Sequence, residues 1–155
     1  MLRTGLTAAG LALAAVVLVA GGRAEPARTA HRCGAQDRQF VHQAELSSQS
    51  LTVIGQDYQS GATTAKQAIA ATRDAETGID STSPLDPSLK MARSLMRGMM
   101  LEYQRAVRAQ SKGAPSASSH MYRSYSLAAY AREVLVDAEP ALDRLGCPLT
   151  QLLQE

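Results

Sequence analysis

Two cysteines, Cys33 and Cys147, are the clearest chemical feature of this chain, and they lie more than a hundred residues apart. Neither has a second cysteine at the short spacing of a redox motif, which disfavours a catalytic thiol pair. In an oxidising compartment, two cysteines that flank a set of helices most simply form one disulfide. We therefore predict a disulfide between Cys33 and Cys147, which chain-entropy arguments rate at about 4 to 5 kcal/mol.

Thioether and imidazole side chains in the second half of the chain offer a second kind of chemistry. The residues concerned are Met96, Met99, His120 and Met121. In an exported protein such ligands suit copper. Met96 and Met99, however, fall on the apolar face of a predicted helix, where methionine is an ordinary packing residue. Core packing is the favoured interpretation, a copper site is the alternative, and no cofactor is expected.

Motifs of the common enzyme classes are missing from the sequence. A di-iron bundle needs repeated Glu-x-x-His pairs on facing helices, but only His42 and Glu45 stand three apart, once and in the reverse order. The chain has no Gly-x-Ser-x-Gly elbow and no phosphate-cradling glycine loop. We expect a protein that is not an enzyme.

A row of basic residues opposite an apolar helix face is the pattern in this sequence that most favours a binding function. The six residues are Lys90, Arg93, Arg97, Arg105, Arg108 and Lys112, and at about 100° per residue they share one side of a helix. We call them the basic stripe. A solvated face is the simpler interpretation, and the functional one is a docking face for an anionic partner, such as membrane headgroups, an envelope polymer or an acidic protein.

The elements that position these residues are predicted to be helices of one domain. The chain has 155 residues, of which 45% are hydrophobic and only 4% aromatic, with no tryptophan. A core must then come from Ala, Leu, Met and Val, and because Ala, Leu and Met favour helices, the composition indicates an all-α fold.

A continuous pattern of small or apolar residues, spaced alternately four and three apart, is typical of a helix face packed on other helices. We call it the seam, and its members are Phe40, Ala44, Ser47, Leu51, Ile54, Tyr58, Gly61, Ala65, Ala68, Thr72, Ala75 and Ile79.

The cysteines decide whether this pattern is one helix or two. An unbroken helix would give three helices in all and leave Cys33 and Cys147 at opposite ends, although bridged Cα atoms must lie within about 7 Å. We therefore predict a break with Gly61 as a left-handed cap and Thr63 or Thr64 as the next N-cap. The result is an up-and-down four-helix bundle closed by one disulfide, with helices at about 36–59, 63–78, 87–112 and 117–145 and a kink or restart at Pro140.

The first residues have the pattern of an export signal. Arg3 precedes an apolar run over residues 6–20, and small residues follow. We predict a cleaved signal peptide over 1–24, a flexible leader over 25–34 and a single helical domain over 35–155. An uncleaved anchor is the rival, but it needs about twenty apolar residues.

Removal of the signal peptide changes the charge of the chain. The whole sequence has 16 basic and 14 acidic residues, and loss of Arg3 and Arg23 leaves 14 of each. A neutral domain offers no basic field for nucleic acid. Contact with the membrane is expected only through the signal peptide during export.

The sequence thus predicts an exported, non-enzymatic binding or interaction protein of the bacterial cell envelope or extracellular space, with an anionic envelope component or protein as the expected partner. A carrier of a small ligand or of copper that uses the interior of the bundle is the alternative. An enzyme of unknown class ranks third.

Overall fold

The computed structural model describes residues 33–154 and is all-α over that range. The predicted signal peptide 1–24 and leader residues 25–32 lie outside the described residues. The helices are α1 (Ala35–Ser60), α2 (Ala65–Asp80), α3 (Pro87–Gln110), α4 (Ala117–Arg144) and the short α5 (Thr150–Leu153). The predicted fold class is confirmed at the level of an all-helical chain with one disulfide.

The predicted break in the seam is confirmed, and local chemistry explains it. Gly61 takes a left-handed backbone conformation with φ +78°, which glycine adopts without a steric cost. Thr64 then caps α2: its hydroxyl accepts the backbone N–H of Gln67 at 3.3 Å, and the Gln67 side chain accepts the backbone N–H of Thr64 at 2.9 Å. This reciprocal pair is a capping box, and it fixes where α2 begins.

The start of α3 also follows the sequence signals. Asp86 accepts the backbone N–H groups of Ser88 at 2.8 Å and Leu89 at 3.2 Å. Pro87 occupies the first helical position, where its missing N–H has no partner to lose.

Pro140 does not restart the last long helix. α4 runs from Ala117 to Arg144 with Pro140 inside it, so the predicted restart is wrong, while the predicted kink stays a prediction. Proline has no backbone N–H, so the carbonyl of Val136 lacks its helical hydrogen bond from residue 140. Both residues are exposed. Water can hydrate a carbonyl on that side of the helix, which explains why the helix continues.

Side chains of α1 and α2 are in close contact. Ser47 in α1 donates a hydrogen bond to the carbonyl of Ala75 in α2 at 3.4 Å, and a β-carbon at Gly78 would collide with the side chain of Gln43. A late residue of α2 therefore meets an early residue of α1. The missing side chain at Gly78 leaves room for the Gln43 side chain between α1 and α2.

Hydrogen bonds from side chains to backbone carbonyls also join the next two pairs of helices. Arg93 in α3 donates to the carbonyls of Ile79 at 3.2 Å and Asp80 at 3.0 Å, at the end of α2. Ser124 in α4 donates to the carbonyl of Met99 in α3 at 3.0 Å.

The core is made of small and aliphatic side chains around the only phenylalanine, Phe40. Seven seam residues are buried, namely Phe40, Ala44, Ser47, Ala68, Thr72, Ala75 and Ile79. From the other helices the core takes Leu89, Met96, Met100, Leu135 and Leu142. The seam is thus buried in the first half of α1 and in α2, whereas Leu51, Ile54 and Tyr58 in the second half of α1 are only half-buried.

The two chain ends of the described domain meet at the predicted disulfide. Cys33 and Cys147 are bonded, with their Cα atoms 5.4 Å apart across a sequence separation of 114 residues. The backbone N–H of Cys33 also donates to the carbonyl of Leu145 at 3.0 Å. Gly146, with φ +82°, ends α4 just before Cys147.

A buried carboxylate strengthens the same end of the molecule. Asp37 accepts backbone N–H groups from Gly34 at 3.2 Å, Leu85 at 2.6 Å and Asp86 at 3.0 Å. One side chain therefore caps the first turn of α1 and also holds the segment that leads into α3. Between residues 33 and 154, no helix combines the length and apolar character needed to span a membrane.

Candidate functional site

A groove separates α1 from α4. Each of the pairs α1–α2, α2–α3 and α3–α4 packs with close backbone approach, whereas within the described residues α1 and α4 have no such approach. α3 forms the floor of this space, and α5 packs against both α1 and α4 at one end. We call the space the α1–α4 groove.

One half of the groove, the tyrosine half, has a volume of about 280 Å³. Its floor is Met99 and Tyr103 from α3, and Tyr125 lies on the α4 side. On the α1 side it is lined by Gly55 and Gln56, with other polar and apolar residues of the same helix. The half is mainly apolar, with hydroxyl and amide groups near the end of α1.

The other half, the leucine half, has a volume of about 220 Å³. Met96 lies on its floor, Leu135 lines the α4 side, and Leu152 and Leu153 of α5 close its end. Arg132 of α4 also lines this half.

The two halves form one continuous groove. Both are lined by Thr52, Met99 and Ala128. Along α1 the lining extends from Ser48 to Gln59, about 16 Å at 1.5 Å per residue. Mostly apolar concave sites with a few polar groups are the usual places where proteins bind small molecules.

Tyr103 brings a phenolic hydroxyl to the floor of the tyrosine half. Its hydroxyl lies beside Gly55 of α1, since a β-carbon there would be 3.9 Å away, an ordinary van der Waals distance. Burial raises the pKa of Tyr103, and the nearby Tyr125 and Tyr58 raise it further. The hydroxyl therefore stays protonated at neutral pH and is available as a hydrogen-bond donor.

The polar groups of the groove are hydroxyls, amides and one guanidinium. Among the described residues that line it there is no histidine, cysteine, aspartate or glutamate.

The basic stripe is partly neutralised by acids of the same molecule. Arg93 lies 3.6 Å and Arg97 lies 3.3 Å from carboxylate oxygens of Asp80. Arg97 is also 3.9 Å from a Glu76 oxygen. Two of the six stripe residues thus take part in the α2–α3 contact, a use that the sequence did not reveal.

The other four residues of the basic stripe differ in whether they form an ion pair. Arg105 pairs with Glu102 one turn before it, whereas Lys90, Arg108 and Lys112 are exposed and make no ion pair within residues 33–154. Docking of an anionic partner on this face stays a prediction, now with three cations of the described chain available for it.

Glu102 is the centre of a polar cluster between α3 and α4. Its side chain is bonded to the His120 ring at 2.7 Å, pairs with Arg105, and lies 3.8 Å from Arg123. The residue is only 8% exposed. The hydrogen bond from His120 lowers the pKa of Glu102; burial opposes this, and Arg105 and Arg123 add to it. Glu102 thus carries a buried negative charge that holds the two helices together.

The alternative copper ligands lie in different surroundings. Met96 is buried in the core, Met99 lines the groove, and His120 is bonded to Glu102. Core packing and the copper alternative both stay predictions. Within the described part of the chain, no group of three or more His, Cys, Asp or Glu side chains lies in a position to hold a metal ion.

The α1–α4 groove was not predicted from the sequence. Its only sequence signal is weak: Ser48, Thr52, Gly55 and Ala128, which face the groove, are all small, so opposite sides of two helices offer little to fill the space between them. Comparison with known protein families, curated proteins and solved structures finds no match to this chain.

Proposed function

We propose that this protein is an exported, non-enzymatic binding protein that holds a small apolar ligand in the α1–α4 groove. The observation that carries the proposal is the groove itself: a continuous, mainly apolar space of two parts, about 280 Å³ and about 220 Å³, open between two helices. Burial of a ligand there removes apolar surface from water at both partners, which favours binding.

The helices that build the groove are proposed to be an up-and-down four-helix bundle with one open side. The antiparallel contacts Ser47 with Ala75, Arg93 with Ile79, and Ser124 with Met99 support this arrangement. An even number of long helices also accounts for the meeting of Cys33 and Cys147.

The disulfide supports export. Disulfides persist in oxidising compartments such as the periplasm and the extracellular space and are rare in the cytosol. Together with the apolar run over residues 6–20, the bond between Cys33 and Cys147 favours action in the cell envelope or outside the cell.

The basic stripe supports a binding role less strongly than the groove does. Arg93, Arg97 and Arg105 pair with carboxylates of the same molecule, which lowers the positive potential they offer to a partner. The apolar groove, by contrast, has no occupant among the described residues beyond the α5 leucines at its end.

Binding of the neutral fluorescent probe N-phenylnaphthylamine tests the proposal. We expect the purified protein to bind it with increased fluorescence, and Ala128→Phe to abolish binding because Ala128 lines both halves of the groove. Ala129→Phe is the matched control, since Ala129 is exposed on α4 and does not line the groove.

The proposal is overturned if the wild-type protein does not bind the probe, or if both phenylalanine variants bind it equally well. Native mass spectrometry of the secreted protein adds a second readout. A monomer with a bound small mass supports the proposal, whereas a dimer without one assigns the groove to a second copy of the chain.

A further inference from the structure

We propose that the ligand of the α1–α4 groove is a single-chain amphiphile with an anionic head group, of the kind represented by a medium-chain carboxylate. The head group binds Arg132 and the chain runs along α4 toward Tyr125. This inference rests on the proposed function and specifies the class of ligand.

The charge of the groove selects the head group. Among the described residues that line either half, Arg132 is the sole charged one. An anion at this position meets a cation with no competing carboxylate in the lining, whereas an ammonium group would be repelled. Charge complementarity of this kind sets specificity at a binding site.

The guanidinium of Arg132 has donors to offer. It is exposed, and one of its nitrogens donates to the carbonyl of Leu153 in α5 at 3.4 Å. A guanidinium has five N–H donors, so this single contact fixes the side chain beside the leucine half and leaves the other donors for a carboxylate. Arginine and carboxylate form two parallel hydrogen bonds, a geometry that favours this pairing.

The shape of the groove selects a narrow chain. From Arg132 the groove follows α4 past Ala128 to Tyr125, about 10 Å at 1.5 Å per residue. Its floor is Met96 and Met99, and the flexible thioether side chains adapt to the outline of an alkyl chain. The far end offers Gln56, Gln59 and Tyr103, which are polar but uncharged, so the anionic end of the ligand belongs at Arg132.

Isothermal titration of the purified protein with decanoate, decanol and decyltrimethylammonium tests the inference, because the three ligands share a chain and differ in head-group charge. We expect decanoate to bind about fivefold more tightly than decanol, the preference that one exposed ion pair provides, and the ammonium compound to bind most weakly. Higher salt should reduce the preference for decanoate.

Substitution of the arginine separates the head group from the chain. Arg132→Gln should abolish the preference for decanoate, so that the variant binds decanoate no more tightly than it binds decanol. Arg144→Gln is the matched control, since Arg144 is exposed on the same helix but does not line the groove, and it should keep the preference.

The possible outcomes distinguish the two proposals. Equal binding of decanoate and decanol by the wild type, or a decanoate preference that survives Arg132→Gln, overturns the inference and leaves the groove as an apolar binding site. Binding of none of the three ligands overturns the proposed function and the inference with it.

Discussion

The two sides of this molecule are closed in different ways. Between α2 and α3, charged and polar side chains cross the contact: Gln104 donates to Glu76 at 2.8 Å, and Arg97 reaches both Glu76 and Asp80. Between α1 and α4 there is no comparable contact among the described residues, only the disulfide at one end and α5 beside it. The polar contact between α2 and α3 therefore serves the fold. The apolar space between α1 and α4 is left open.

This difference corrects a common way of interpreting charge on a helix. A basic stripe on an amphipathic helix indicates a solvated or docking face when the helix is considered alone. Here the acids of α2 lie opposite, so the charges of Arg93 and Arg97 serve the fold. Ion pairs at a surface contribute little to stability, typically about 0 to 1 kcal/mol, and their main effect here is to set which face of α3 meets α2.

Removal of the disulfide is expected to have the largest effect on the open side. Cys33→Ser combined with Cys147→Ser should lower the free energy of unfolding by about 4 kcal/mol, because the bond closes a very long loop and restricts the unfolded chain. Urea denaturation followed by circular dichroism measures the loss. The wild type in reducing agent is the control and should match the variant; an unchanged urea midpoint would contradict the prediction.

A paired substitution compares packing on the two sides directly. Ala68→Leu adds three carbons at a fully buried position of α2 and should destabilise the protein by about 2 kcal/mol, because a close-packed interior does not accept extra volume. Ala128→Leu adds the same volume beside the open groove and should change the free energy of unfolding by less than about 0.5 kcal/mol. Equal losses in urea denaturation would show that the groove is closed in solution.

The contact between α3 and α4 should weaken in acid. The pKa of Glu102 is lowered in the folded protein, chiefly by the hydrogen bond from His120, so its contribution to stability is present above the ordinary glutamate pKa and is lost as the pH falls through the lowered value. Glu102→Gln should therefore cost about 1.5 kcal/mol near neutral pH.

Thermal unfolding as a function of pH measures this effect. The difference between wild type and Glu102→Gln should shrink below about pH 4. Glu133→Gln is the control, since Glu133 is exposed on α4 and makes no ion pair within residues 33–154. If the difference in thermal stability between wild type and Glu102→Gln is the same at neutral and acidic pH, the assignment of the charge to Glu102 is refuted.

The smallest effect is expected at the ionic contact between α2 and α3. Arg97→Gln should lower the free energy of unfolding by about 0.5 kcal/mol, since the side chain is half exposed and its ion pairs are screened. Lys90→Gln, on an exposed residue of the stripe without an ion pair in the described chain, should have no measurable effect. The two variants are compared at low and high salt, and identical behaviour would show that the ion pairs of Arg97 are not formed in solution.

The sequence predicted the features that depend on short-range chemistry. Gly61 and Thr64 mark the break between α1 and α2 because a left-handed cap and a capping box need those residue types. Cys33 and Cys147 then restricted the number of long helices, since only an even number brings them together.

The sequence did not predict how closely two helices approach. Leu51 and Tyr58 follow the same spacing as Phe40 and Ala44, yet they are only half-buried whereas the other two are fully buried. Periodicity identifies the inward face of a helix but not the distance to the next helix. The second half of α1 therefore looked like a closed seam in the sequence, although it is one wall of the groove.

The place of the disulfide has a consequence for how the groove opens. Cys33 and Cys147 join the beginning of α1 to the residues that follow α4, and Asp37 fixes the same end to the segment before α3. We therefore expect α1 and α4 to be held most firmly at this end and least firmly toward the turns that contain Gly61 and Gly113. The tyrosine half, which lies farther from the cystine than the leucine half does, is the part of the groove that this arrangement leaves most free to adapt to a bound molecule.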